Sequence, residues 1–356
     1  MSAGVQVFLY PEELEHVEPE ALATQVLELG CDAVSVAVVY HRGRRVFPRH
    51  RRVSVLTRTT MYVEPEPARY GALAPVGART DRLLQFREAC ERSGLRFRAW
   101  VVGLHNGELA AAFPDAAARL LDGSPAGHSL CPSAPESVEY VAALAGDVAA
   151  QLEPEFVDLE AAFYPAWEPS YTLTLALEPV SQEARLLLPQ CFCPSCRVLF
   201  GADVEARTHA AEPGVFAELA DGRAAGARRL VEATAAAVHE QGSLLRVFVS
   251  GEPAQAAGQG VSAESAAAAD AVLYGCGPLR GDELISRFDG LRALTGRPGT
   301  VSTNWAPERA DLAADVERLA AAGAEGLALY NLSLVPEAGL DAFRAAAHAF
   351  RAGVAA

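Results

Sequence analysis

The chain has 356 residues, enough for one large barrel or two average domains, with 45 acidic against 30 basic residues and a formal charge of -15. That balance repels polyphosphate and anionic membrane surfaces, so neither nucleic-acid nor membrane partners are expected. All 30 basic residues are arginine, and without lysine the chain has no Schiff-base, pyridoxal-phosphate or Walker-loop chemistry.

The start, MSAGVQVFLYPEELEHVEPE, has no basic segment ahead of a long apolar core, and no later run approaches the roughly 18 apolar residues of a membrane helix. A soluble cytoplasmic protein is expected. Seven cysteines, an odd number and partly clustered, fit a reducing compartment better than a disulfide framework. Strands are predicted at VQVFLY (5–10), AVSVAVVYH (33–41), FRAWVVGLHN (97–106), FVDLEAAFY (156–164), LRVFVSGE (245–252), AVLYGCG (271–277), TVSTNWAP (300–307) and GLALYNLS (326–333). Between them lie stretches of helical period, such as EALATQVLELG and DRLLQFREACERSG, many ending on a glycine suited to a left-handed cap. Eight strand–helix units predict an α/β fold: a single (β/α)8 TIM barrel over 1–356. A doubly wound open sheet is the alternative, although no GxGxxG follows the first strand. Long connections at 42–80, 107–135 and 165–212 follow strands two, three and four, on the rim where barrel enzymes build their sites.

Residues 191–197 read CFCPSCR, three thiols in one tight turn that can share a metal but cannot all pair as disulfides. Cys31, Cys90 and Cys276 fall where buried thiols simply pack. Cys131 instead stands in SLCPSAPESVEYV, in the loop after strand three, beside the loop after strand four that carries the knuckle. Cys131, Cys191, Cys193 and Cys196 can therefore close a tetrahedral zinc site that pins two rim loops together, the three-cysteine knuckle standing in an insertion at about 165–212.

A Cys-Pro-Ser segment opening a helix, an acidic strand end, then Cys-aromatic-Cys-x-x-Cys followed by Phe200 resembles family 42 β-galactosidases and related barrel glycoside hydrolases over about residues 97–200. The resemblance implies a structural zinc on those four cysteines and an acid/base glutamate at the end of strand four, which is Glu160. The chain departs from that family in reading Leu159-Glu160 where the family has Asn-Glu. Its seventh strand, TVSTNWAPE, carries its first carboxylate, Glu308, only beyond the strand.

Glycoside hydrolysis uses one carboxylic acid on the leaving oxygen and usually a second carboxylate that attacks or activates water. Glu160 is the expected acid/base, its strand parity shared with Asp158, Ala162 and Tyr164. Glu308 is the expected second carboxylate, with Glu252 as a tuning or substrate-binding group. Aromatic platforms and amides at the strand ends suit a sugar: Tyr10, His41, His105, Asn106, Tyr164, Trp167, Tyr274, Asn304, Trp305, Tyr330 and Asn331. The expected partner is a carbohydrate or a glycosylated small metabolite. Two alternatives stand beside this: a barrel that binds sugar or a partner without chemistry, and a metal-dependent hydrolase or isomerase using His41 and His105 with Glu160 or Cys276.

Overall fold

Eight parallel strands close into a barrel, each drawn from one of the predicted runs: β1 Gly4–Leu9, β2 Ala33–Tyr40, β3 Arg96–Val102, β4 Phe156–Glu160, β5 Leu244–Ser250, β6 Ala271–Gly275, β7 Thr300–Asn304 and β8 Gly326–Tyr330. The structure, a computed structural model, describes residues 4–78, 81–166, 181–307 and 311–355. Closure is set by β1, which pairs with β8 (Gly4 opposite Gly326) and with β2 (Gln6 opposite Ala33). Strands covered on both faces must be apolar throughout, and every residue of AVSVAVVY in β2 is buried. Outside them run the helices Pro19–Glu28, Asp81–Ser93, Pro135–Leu152, Val215–His239, Gly281–Thr295, Leu312–Ala321 and Glu337–Ala355, while two short helices, Pro253–Gly258 and Ala263–Ala267, follow β5. Leu83, Phe86, Leu144, Phe288 and Phe343 from this outer layer meet the outward strand side chains in the main core. No helix among the described residues is long and apolar enough to cross a membrane.

The barrel interior has its own core of Phe8, Trp100, Leu273 and Ala328, with Phe248 against it. One turn lower it is polar. Arg246 donates to both oxygens of Asp158 at 2.8 Å, to Gln6 Oε1 at 2.6 Å and to Thr300 Oγ1 at 3.3 Å, while Ser35 Oγ donates to Asp158 at 2.6 Å. Arg98 adds a bond to the same Gln6 oxygen and one of 2.8 Å to Glu155. A buried carboxylate is tolerated only when it is paired and fully hydrogen-bonded, and this lattice ties six strands together.

Two strand ends differ from the sequence reading. β4 stops at Glu160, because Ala161 adopts a left-handed φ of 56° and breaks the alternation that would have put Ala162 and Tyr164 on the Glu160 face. β2 carries a bulge between Ala37 and Val39, so Val38 and Val39 both join the outer core and Tyr40 turns inward. The three long rim connections have structure of their own. The second holds a hairpin, Gly43–Phe47 with Arg52–Leu56; the third a helix, Gly107–Ala112, and a hairpin, Ala117–Arg119 with Pro125–Leu130; the fourth the helices Gln182–Leu187, Pro194–Phe200 and Ala202–His209.

Removing one partner of the interior ion pair strands a charge at side-chain exposures of only 3% for Arg246 and 2% for Asp158. Asp158→Ala should lower unfolding free energy by about 3–5 kcal/mol in chemical denaturation, and the double variant Asp158→Leu, Arg246→Met by clearly less. Equal losses would mean that the pair is not held as a desolvated unit.

Candidate functional site

Glu160 ends β4 on the inward face, and the Trp100 indole N–H donates to its Oε2 at 2.7 Å. Above Trp100 sits a cluster of three tyrosines from three strand ends. The Tyr10 hydroxyl bonds those of Tyr330 at 2.8 Å and Tyr40 at 3.1 Å, and the rings pack edge-on or tilted against Trp100 at centroid distances of 4.8–5.8 Å. Burial, reinforced by the Glu160 charge, raises all three phenols above their ordinary range, so they stay protonated as donors and acceptors.

The hairpin after β2 folds over this cluster. Arg45 places its guanidinium 4.2 Å from the Tyr10 ring centre and 4.5 Å from that of Tyr40, and pairs with Glu12; Arg49 and His50 pair with Glu13. Tyr62 also donates to Glu12, at 2.9 Å. Glu12 and Glu13 are buried, so these bonds clamp the hairpin to the short turn after β1.

Beside the mouth lies a cavity of about 730 Å³ whose wall includes Tyr40, His41, His105 and His128; a smaller one of about 60 Å³ reaches Glu160, and His105 borders both. The His41 ring stacks on Tyr40 at 4.5 Å, and His105 stands 6.1 Å from His41 and 5.3 Å from His128. Burial first, then neighbouring positive charge, lowers the pKa of all three imidazoles, His105 furthest.

Of the residues expected at the site, Tyr10, Tyr330, His41, His105 and Glu160 come together there, and Asn304 ends β7 half-buried. Several others are placed elsewhere. Glu252 faces the helix layer, paired with Arg287 of the helix Gly281–Thr295, so it does not tune Glu160. Tyr274 points outward, its hydroxyl bonding Thr295 and the Arg297 carbonyl at 2.7 Å. Trp305 packs in the helix-facing core beside Gly339. Asn106 caps the helix Gly107–Ala112, accepting from Leu109 N at 3.0 Å, and Asn331 accepts from Ser333 N at 2.9 Å. Tyr164 does line the smaller cavity that reaches Glu160, but the turn at Ala161 takes its hydroxyl to Ser133 and its ring under Arg223 at 4.6 Å. Glu308 and Trp167 lie outside the described residues. Sequence reasoning missed Trp100, His128, Arg45 and the Glu12–Glu13 clamp; the available signal was residues 41–63, which carry seven arginines and no acid.

The four cysteines converge as their spacing suggests. Cys131, Cys191, Cys193 and Cys196 are all buried with Sγ atoms within 4.8 Å of one another, Cys131 lying 3.5 Å from Cys196 and 3.8 Å from Cys191. A tetrahedron with zinc–sulfur bonds of 2.3 Å has edges of about 3.8 Å, so the donor set fits zinc. Backbone N–H groups of Arg119 and Ser133 donate to Cys191 and Cys131 at 3.3 and 3.4 Å, as thiolates require. Gly226 lets the helix Val215–His239 close on Tyr164 and Ser133, where any Cβ would collide. Among the described residues no other His, Cys, Asp or Glu group is close enough to hold a metal, which leaves the His41–His105 metal reading without a ligand set; Cys276 packs in the outer core. Burial pushes the Cys31 and Cys90 thiols up to about 12, as packing residues.

Among solved structures, the chain is similar to the PgaB (BpsB) glycoside hydrolase domain from Bordetella bronchiseptica, with a TM-score of 0.64 and 13% identity over 96% of this chain and 98% of that one. It is similar to the catalytic domain of a β-amylase from Paenibacillus polymyxa, at 0.61 and 10% over 97% and 98%. A β-galactosidase from the psychrophilic Marinomonas ef1 aligns at 0.58 and 13% over 93% of this chain, which spans 54% of that enzyme. The likeness shows a (β/α)8 barrel fold shared with these proteins and does not single out family 42. No family model and no curated protein matches the sequence.

The lowered imidazoles bear on stability. An unfolded histidine titrates near 6.5, so their contribution is complete above that pH and drains away as pH falls through it toward the folded values. Melting temperature should fall between about pH 7.5 and 5.5, and His105→Asn should flatten the fall. An identical slope in that variant would show that His105 is not held neutral.

Proposed function

We propose that the protein is a glycoside hydrolase-like enzyme acting on a carbohydrate or glycosylated small metabolite, with Glu160 as acid/base. The observation that carries this reading is Glu160 at the end of β4, turned into the barrel mouth and oriented by Trp100 beneath three neutral phenols. A carboxyl held in this way can deliver a proton to a leaving glycosidic oxygen and recover it from water, while aromatic edges and hydroxyls suit a pyranose. The shared barrel of carbohydrate-acting enzymes supports it. Glu160→Gln keeps shape and removes the exchangeable proton, so turnover on a substrate found by glycoside screening should drop roughly 10²- to 10⁴-fold with folding intact. Full activity in that variant would remove Glu160 from the chemistry.

A second reading is favoured by one observation: the other candidate carboxylates among the described residues are already engaged, Asp158 by Arg246 and Glu252 by Arg287. A barrel that only binds sugar would retain affinity in both wild type and Glu160→Gln, with no turnover in either.

We further propose that the four cysteines hold a structural zinc. It would join the hairpin after β3 to the loop after β4, already linked by Phe192 N to Arg119 O at 3.0 Å and Leu121 N to Leu188 O at 3.3 Å. Elemental analysis should find about one zinc per chain, and Cys193→Ser should lower both metal content and melting temperature. Metal-free protein of unchanged stability would count against it.

A further inference from the structure

We propose that the cavity of about 730 Å³ is a subsite for an acidic saccharide, a sugar bearing a carboxylate, sulfate or phosphate held by Arg42 and Arg44. The inference starts from a segregation of charge. A chain of net charge -15 places seven arginines and no acid between residues 41 and 63, and its structure puts that segment over the barrel mouth. Two of the seven, Arg45 and Arg49, bind Glu12 and Glu13 and anchor the hairpin. Arg42 and Arg44 have a different fate. Both are exposed, both line the cavity, and among the described residues neither side chain makes an ion pair or hydrogen bond. Elsewhere exposed arginines such as Arg197 and Arg228 take carboxylate partners.

The described lining of the cavity contains no carboxylate. The rim acid Glu108 accepts from the N–H and hydroxyl of Thr59, each at 3.1 Å. The guanidinium of Arg42 reaches over Gly107, its central carbon 3.9 Å from where a Cβ would stand. After burial, its charge helps lower the pKa of His128, and at His41 it works against the raising effect of the hydrogen bond to the Arg42 carbonyl. Val55 and Leu56 give the wall an apolar face and Thr57 a hydroxyl, so a sugar ring can lie on the wall while its anion meets planar guanidiniums. Lysine, a compact and strongly hydrated point charge, is absent from the whole chain. Because His105 borders both this cavity and the one reaching Glu160, the acidic sugar would occupy a position next to the bond that Glu160 cleaves. That adjacency rests on the hydrolase reading, whereas the binding does not.

The test is calorimetric titration of wild type and Glu160→Gln with three matched probes: oligogalacturonate against its methyl ester, and sulfated and phosphorylated malto-oligosaccharides each against the unmodified oligomer. At least one acidic probe should bind more tightly than its neutral counterpart and weaken as salt rises. Arg42→Gln, Arg44→Gln together should cost that probe about 10- to 100-fold in affinity, while Arg228→Gln, Arg229→Gln together, the same loss of two charges at exposed sites on the helix Val215–His239, should cost nothing. The arm that responds identifies the anion. Binding of no acidic probe, equal affinity for charged and neutral partners, or an unchanged affinity in the double arginine variant would overturn the proposal. Binding without turnover in wild type would instead overturn only the hydrolase reading.

Discussion

A single desolvated carboxylate organises this barrel. Asp158 lies in the interior, bound through both oxygens by Arg246 and by Ser35, and Arg246 in turn reaches Gln6 and Thr300. A charge in that position is tolerable only with every partner in place, so strands β1, β2, β4, β5 and β7 are locked in the register that satisfies it. Glu160 stands two residues beyond Asp158 on the same strand, and its aim into the mouth follows from that register. The polar floor thus positions Glu160 one layer above it.

The mouth itself is assembled by opposite charge. Buried Glu12 and Glu13 on the turn after β1 draw Arg45, Arg49 and His50 down onto the tyrosine cluster, and this folds a strongly basic hairpin across an otherwise acidic molecule. Its inner face is anchored to those acids, while its rim leaves Arg42 and Arg44 toward the cavity. Electrostatic anchoring and ligand selectivity share one short segment, and only the first has its carboxylates supplied by the protein.

A second anchor works on the far side. The hydrogen bonds between the hairpin after β3 and the loop after β4 converge on the four cysteines, and Tyr164, a few residues past Glu160, is held there through Ser133 and Arg223. The exit of β4 is therefore fixed at both ends, by Asp158 below and by the cysteine cluster beyond. Long rim loops that would otherwise fluctuate become a wall.

The sequence by itself determined the barrel and the cysteine cluster. All eight strands and the four converging thiols were legible because periodicity, β-branched runs and ligand spacing are local properties. Glu160 was legible for the same reason, since alternation from Asp158 held as far as the strand did. The tertiary structure decided the rest. Tyr40 faces the mouth through a bulge between Ala37 and Val39, Tyr164 turns its hydroxyl away from Glu160 through a left-handed Ala161, and Tyr274 belongs to the outer layer despite its place near a strand end. Glu252 looked like a rim acid until Arg287, 35 positions along the chain, claimed it. Which arginines are anchors and which remain open to a ligand was equally unreadable, because a guanidinium's role is set by the carboxylate that reaches it in space, and sequence neighbours do not record that.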